Sequence, residues 1–280
     1  MKNKFSIDID NSINSGQVFL WEKQGSDWYG INGQDILKIN KNGAIKSIRN
    51  LKIDFFRKND NMQEIIKSIS KDKTVKKAVK EYEGLRLFRQ DPFQCLISFI
   101  ISSNSNIQKI KNSLEKITKK FGKKVKIQNK EFFLFPEPEK MAKATIDEIK
   151  SCGVGYRAPF IKEAAKMVIL KKIDFEYLKK CDYHEAKKNI CLVPGIGNKV
   201  ADCIMLFSLN KLESFPLDTW MIKILEKYYS KEFKIETKTI TQKQYELLHE
   251  KIVNYFGPYC GYAQQYLFKM EREKNDKKWL

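Results

Sequence analysis

Short apolar runs separated by turn residues fill the first third of the chain. Val18-Phe19-Leu20-Trp21, Trp28-Tyr29-Gly30-Ile31, Ile36-Leu37-Lys38-Ile39 and Ile45-Lys46-Ser47-Ile48 read as strands. Asn32-Gly33 and Asn42-Gly43 stand between them as hairpin turns, because a type I′ turn needs positive φ at both central residues and Asn-Gly accepts it. The pattern predicts an antiparallel meander that needs a partner to cover one face. From about Met62 the apolar spacing lengthens to a helical period, with Ile65, Ile66 and Ile69, then Val75, Ala78 and Val79, and helices follow to the end. We place the boundary near residue 82: an antiparallel β-rich domain over 1–82 and a helical domain over 83–280, an α+β chain.

Helix starts in the second domain are well marked. Asp91-Pro92 supplies an N-cap and an N1 proline ahead of Cys95, Leu96, Phe99 and Ile100, a helix apolar nearly all round and therefore buried. Thr145-Ile146-Asp147-Glu148 is a capping box, and Pro258 can open the last helix through Tyr262, Tyr266 and Phe268. The second domain reads as all-α. Residues 119–130 hold six lysines and no acid, which reads as a solvated loop or helix end without assigned function.

Composition narrows the class. The 280 residues suffice for about two domains. With 42% apolar and 12% aromatic residues, disordered, collagenous and low-complexity classes are excluded. Lys and Arg number 53 against 34 acids, a net charge of +19 that points to a polyanionic partner. An A/T-rich genome would enrich lysine but would enrich Glu equally, so codon bias does not account for the excess. Six scattered cysteines without a CxxC pair signal neither zinc nor disulfides, and only Cys260 lies beyond Cys203, too few for a C-terminal iron–sulfur cluster. No metal or other cofactor is expected. The first residues lack the apolar core of a signal peptide, and the longest apolar run surrounds Phe99-Ile100-Ile101, so we expect a soluble cytoplasmic protein with no membrane association.

Candidate chemistry begins at a hairpin of about residues 187–208. Its turn is Pro194-Gly195-Ile196-Gly197; Gly195 and Gly197 allow positive φ and close backbone approach, Ile196 faces inward, and Ala201 lets the flanking helices pack tightly. The second helix is left with a bare N-terminus, whose unpaired N–H groups and partial positive charge form a seat for phosphate. An ordinary αα-hairpin is the plainer alternative, but Val193-Pro194, the inserted Ile196 and the trailing Ala201 together favour the phosphate seat. A second turn, Cys152-Gly153-Val154-Gly155, looks like a weaker copy of it. Tyr156 and Arg157 after it either hold an unpaired base between ring and guanidinium or merely begin the next helix.

Lys199 falls in the first turn of the second hairpin helix, beside the positive end of its dipole. Most lysines are solvated charge, yet a phosphate bound here would bring a sugar within reach of this one, which suits Schiff-base attack at a carbon bearing a leaving base. Asp218 follows Phe215-Pro216-Leu217 and opens a helix. Capping alone would explain it, and so would stabilising positive charge on a deoxyribose; spacing does not separate the two.

Residues 192–204 followed by Pro216-Leu217-Asp218 resemble the helix-hairpin-helix, Gly/Pro-rich loop and aspartate signature of the DNA glycosylase superfamily. More narrowly, Ser15-Gly16-Gln17-Val18-Phe19-Leu20-Trp21, Arg86-Leu87-Phe88-Arg89-Gln90-Asp91-Pro92, Ser102-Ser103-Asn104-Ser105-Asn106-Ile107, Gly155-Tyr156-Arg157-Ala158 and Ala263-Gln264-Gln265-Tyr266-Leu267-Phe268 resemble, in order, the 8-oxoguanine DNA glycosylase/AP lyase family. The resemblance spans nearly the whole chain. It implies a TATA-binding-protein-like antiparallel domain followed by two helical subdomains with the hairpin at their junction. It also implies a mechanism: the damaged nucleotide is flipped out, Lys199 attacks C1′, the base leaves, and β-elimination through the Schiff base nicks the strand. By the same resemblance Asp218 activates or stabilises, and the Gly16 carbonyl accepts the N7–H that 8-oxoguanine has and guanine lacks. Phe268 and Cys203 sandwich the base, Gln264 bonds its Watson–Crick edge, and Asn104, Tyr156 and Arg157 fill the gap and grip the orphaned cytosine.

Two positions depart from the family. Lys109 stands where an arginine commonly reads the orphaned cytosine, and Trp220 stands where eukaryotic members have histidine near the backbone. The expected partner is duplex DNA carrying oxidised guanine, bound by a monomer that is nucleoid-associated if the source is prokaryotic. The alternatives are a glycosylase for another damaged purine, against which Lys199 and Gly16 argue, and a non-catalytic DNA-binding module.

Overall fold

The computed structural model describes residues 7–40, 43–47, 54–127, 130–235 and 240–275. Helix α1 (Ile9–Ile13) precedes an antiparallel sheet of order β1-β2-β3-β4, formed by Trp21–Gln24, Asp27–Asn32, Asp35–Ile39 and Ile45–Ser47. Val18, Phe19 and Leu20 lead into β1 and do not belong to it, because Phe19 turns to meet Phe99 edge-on at 5.9 Å. Asn42 and Ile48 lie outside the described residues.

The turn between β2 and β3 differs from expectation. Asn32 pairs with Asp35, so the central residues are Gly33 and Gln34, and of the two only Gly33 has positive φ, at +60°, the pattern of a type II′ turn. Asn32 is used elsewhere: its Oδ1 accepts the Asp91 N–H at 2.8 Å. Gln94 accepts the Gly33 N–H at 2.7 Å and donates to the Ile31 carbonyl at 2.9 Å, which fastens the turn to the helix that follows. The sheet is covered on both faces. Trp28, Leu37 and Ile39 pack on Phe55, Phe56 and Phe88, while Tyr29, Ile31 and Ile36 join the main core, which explains why β2 and β3 read as continuous apolar runs.

Helices α2 (Met62–Ile69) and α3 (Lys73–Glu81) come next and pack on the last helix of the chain, α14 (Cys260–Lys274). Between them in sequence lie α4 (Pro92–Ser102), α5 (Ile107–Phe121), α6 (Pro138–Lys143), α7 (Ile146–Ile149), α8 (Ala158–Ile169), α9 (Phe175–Lys180), α10 (Tyr183–Ile190), α11 (Asn198–Ser208), α12 (Thr219–Tyr228) and α13 (Gln242–Phe256). Helix α4 starts as expected, with Asp91 Oδ1 accepting the Gln94 N–H at 2.8 Å and Pro92 in the first turn, and residues 93–101 are all buried. Phe99 stacks on Phe207 of α11 at 5.5 Å, so the central helix carries α11 on its flank. Each large apolar side chain buried this way contributes about 1.5–3 kcal/mol.

One element is an addition to the all-α expectation. Inside the lysine run, β5 (Lys124–Ile127) pairs with β6 (Lys130–Phe133) in an antiparallel hairpin. Val125 and Ile127 alternate with Lys124 and Lys126, a period of two that the charge density hides, and Phe132 stacks on Tyr29 at 5.8 Å. The Thr145–Glu148 capping box forms as expected, whereas α14 begins at Cys260 without a side-chain cap, two residues past Pro258.

Candidate active site

The hairpin joins α10 to α11 through a turn in which Gly195 has φ +83°. A Cβ there would lie 2.4 Å from the Phe160 ring of α8, so close approach as well as backbone angle demands glycine. Gly197 is different from expectation: its φ is −100° and a Cβ would meet open space. It serves as the N-cap of α11, where the missing side chain is what matters. No side chain caps the helix and no acid occupies its first turn, so the N–H groups face outward with their partial charge uncancelled.

Lys199 is the second residue of α11, and its Nζ lies 5.9 Å from the centre of the Phe99 ring. One turn on, Cys203 is buried. Burial pushes its thiol up to about 12; Lys199 opposes that by charge and hydrogen bonding, and the Asp218 carboxylate adds to it. Lys199 and Asp218 open onto one cleft of about 1000 Å³, together with Gly197, Thr219 and Tyr245. Asp218 caps α12, its Oδ1 accepting the N–H groups of Trp220 at 3.1 Å and Met221 at 2.7 Å. The capping geometry leaves Oδ2 outside those two bonds. Trp220 lies under the Lys223 ammonium at 4.7 Å.

Gly16, Phe268 and Gln264 gather where the loop between α1 and β1 meets α14. Gly16 has φ +86°, and a Cβ on it would stand 3.3 Å from Phe268 Cε1 and 3.2 Å from Arg272 Nη1. Gln264 lies one turn before Phe268 on α14; it is buried, and its Oε1 has no hydrogen-bond partner. A buried acceptor without a donor costs about 1–3 kcal/mol, a cost that a bound ligand can remove. At Gly261 α14 passes so near α11 that a Cβ would meet Leu206 at 2.3 Å, which brings the Gln264 end of α14 against the helix of Lys199 and Cys203.

Asn104, Tyr156 and Arg157 form a third group. Asn104 has φ +49° in the loop after α4, and its Nδ2 lies 3.5 Å from the Tyr156 hydroxyl. The Arg157 guanidinium donates to the carbonyls of Ser103 (3.0 Å), Asn104 (3.3 Å) and Val154 (3.2 Å) and sits 4.4 Å over the Tyr156 ring. Here Arg157 holds the loop that carries Asn104. Phe160 meets the Tyr156 ring edge-on at 6.4 Å and underlies Gly195, so this group and the hairpin share one aromatic support. Lys109 is exposed in the first turn of α5, its N–H bonded to Asn106 Oδ1 at 2.9 Å.

Two sets of residues escaped the sequence reading. Asp202, fully buried on α11, binds Tyr183, Tyr245 and Lys187. Its one signal was a carboxylate among Val200, Ala201, Cys203 and Ile204. Gln17 and Gln265 are buried amides that fasten the loop around Gly16; both lay inside motifs already singled out.

The family model for the HhH-GPD superfamily base excision DNA repair protein matches residues 97–250, more than half of the chain. The chain belongs to this superfamily. In this superfamily member residues 1–96 match the 8-oxoguanine DNA glycosylase N-terminal domain. The chain is 29% identical over 276 residues to the N-glycosylase/DNA lyase OGG1 of Arabidopsis thaliana, covering 92% of this chain and 75% of the relative. A crystal structure of Clostridium acetobutylicum 8-oxoguanine glycosylase/lyase, in complex with double-stranded DNA containing cytosine opposite 8-oxoguanine, superposes with TM-score 0.85 at 32% identity, covering 96% of this chain and 93% of that one. The 3-methyladenine DNA-glycosylase of Archaeoglobus fulgidus shares the fold at TM-score 0.77 and 18% identity, covering 97% and 98%.

Proposed function

We propose that this glycosylase-superfamily protein flips 8-oxoguanine out of duplex DNA, excises it through a lysine Schiff base, and nicks the strand by β-elimination. The observation that carries this reading is Lys199 and Asp218 opening onto one cleft at the uncapped N-terminus of α11. A backbone phosphate seated on those N–H groups holds the flipped nucleotide's sugar near the amine. Lys199 Nζ forms a bond to C1′ as the bond from C1′ to the base breaks with its electron pair, and the departing base takes up a proton. The Asp218 carboxylate stabilises the positive charge that develops on the sugar. Ring opening leaves an iminium at C1′; loss of a C2′ proton then expels the 3′ phosphate.

Recognition follows from the group around Gly16. Its carbonyl accepts the lesion's N7–H, Phe268 stacks on the base, and Gln264 supplies the otherwise unpartnered Oε1 to the Watson–Crick edge. Asn104, Tyr156 and Arg157 occupy the gap opposite. The protein acts as a monomer in the cytoplasm, on the nucleoid if its source is prokaryotic. Borohydride trapping on duplex DNA containing 8-oxoguanine tests the reading: wild type cross-links, while Lys199→Gln gives neither cross-link nor free base yet still binds the duplex. An active Lys199→Gln enzyme, or a wild type that binds without trapping, overturns it and leaves a DNA-binding module.

A further inference from the structure

Gly16 presents its carbonyl from a loop fastened on one side to helix α14 and on the other to the extended segment Arg86–Gln90, which is itself bonded to α11. On one side, Gln265 Nε2 of α14 donates to the Ser15 carbonyl at 2.7 Å, with both residues buried, and Arg272 Nη1 donates to the Asn14 carbonyl at 3.3 Å. On the other side, Gln17 Nε2 donates to the Arg86 carbonyl at 2.8 Å and its Oε1 accepts the Phe88 N–H at 2.9 Å. Gln90 Nε2 donates to the Gln17 carbonyl at 2.8 Å, and the Gln90 N–H donates to Phe207 of α11 at 2.9 Å. Glycine is the residue most free to rotate, so fixing one neighbouring peptide would leave its carbonyl direction open. Both have to be held.

We propose that Gln265 is a positioning residue for lesion discrimination: it sets the Gly16 carbonyl at a fixed distance from the Phe268 ring without itself touching the base. Gln265 and Arg272 stand three residues before and four after Phe268, on the same side of α14, so one helix carries the stacking ring and the grip on the acceptor loop. Discrimination between 8-oxoguanine and guanine through one N7–H depends on that separation, and a shift of about 1 Å can cost up to about 100-fold in rate. The inference rests on the proposed function, and its test separates the two.

Gln265→Leu keeps the side chain's bulk and removes the donor. In single-turnover assays with the full chain we expect release of 8-oxoguanine to slow by up to about 100-fold, while nicking of a preformed abasic site in the same duplex is unchanged, because no base occupies the pocket there. Arg272→Met removes the second donor from a half-buried position near the helix end, and gives the same split with a smaller loss even if Gln265→Leu folds poorly. Equal losses in both reactions, or no loss in either, overturn the positioning role. A wild type that neither releases 8-oxoguanine nor nicks abasic DNA refutes the proposed function before any variant is compared.

Discussion

Tyr245 donates its hydroxyl proton to Asp202 Oδ2 at 2.5 Å while accepting the Leu217 N–H at 3.2 Å. One oxygen thus ties the helix of Lys199 to the residue before Asp218. Tyr183 donates to the other carboxylate oxygen at 2.7 Å, and Lys187 Nζ lies 2.8 Å from the Tyr183 hydroxyl and 3.5 Å from Asp202 Oδ1. Burial and the neighbouring Asp202 charge push both phenols far above the ordinary tyrosine value, so they remain donors.

Removing the carboxylate leaves Lys187 buried without its counter-charge. Asp202→Ala is expected to lose about 3–5 kcal/mol of stability, and Tyr245→Phe about 1–3 kcal/mol, since it strands the Leu217 N–H. Urea unfolding midpoints check both. A midpoint for Asp202→Ala equal to wild type would show that the cluster does not hold α10, α11 and α13 together.

His249 stacks on Tyr183 at 4.5 Å, and its Nε2 pairs with the Glu213 carbonyl at 2.8 Å. Burial lowers its pKa below 6.5, so the unfolded chain binds a proton more readily than the folded one. Stability from the neutral ring is complete above pH 6.5 and is lost as pH falls toward the depressed folded value. His249→Phe is expected to flatten that part of the unfolding free energy between neutral and mildly acid pH. An unchanged slope in the variant would show that His249 is not its source.

The two hairpin glycines should respond differently to substitution. Gly195→Ala forces a side chain into positive φ and against Phe160, costing about 1–3 kcal/mol and weakening undamaged and damaged DNA alike. Gly197→Ser meets open space and adds an N-cap worth a few tenths of a kcal/mol, but its hydroxyl claims the N–H groups offered to phosphate. Melting temperature should therefore rise slightly for Gly197→Ser as duplex affinity falls. If affinity is unchanged, phosphate does not sit there.

Asparagine can still cap α12. We expect Asp218→Asn to melt as wild type does while base release slows by about 100-fold, measured at saturating enzyme. Equal rates would reduce Asp218 to a cap.

Under the proposed function, Lys109 offers a flexible point charge in place of the planar fork that would penalise the wrong base. Excision of 8-oxoguanine opposite C, A, G and T should favour C only moderately, and Lys109→Arg should widen the spread by about 1–3 kcal/mol. An unchanged ranking and spread would show that this side chain does not read the opposite base.

Features set by local rules were legible in the sequence. The Asp91-Pro92 helix start, the Thr145–Glu148 capping box and the Gly195 turn depend on residues within a few positions of one another, and all three form. Features decided at long range were not. Gly33 and Gln34 became the turn centre because Asn32 bonds Asp91, 59 residues away, and β5–β6 hid behind its lysines because burial of Phe132 on Tyr29 requires the sheet to be in place. The catalytic candidates were recognisable from motifs, whereas Asp202 and Gln265 act through partners 43 and 250 residues distant.

Apart from the Arg272 guanidinium on the Asn14 carbonyl, the side-chain joints around Gly16 and Gly33 are uncharged amides: Gln17, Gln90, Gln94, Gln265 and Asn32. Duplex binding by a chain of net charge +19 releases counterions and weakens steeply as electrolyte is added, while amide dipoles inside the protein are hardly screened. Ionic strength therefore acts chiefly on the outer face. Under the proposed function, concentrated salt strips the duplex away and leaves the Gly16 loop in register, so the protein released from one stretch of DNA is already shaped to inspect the next.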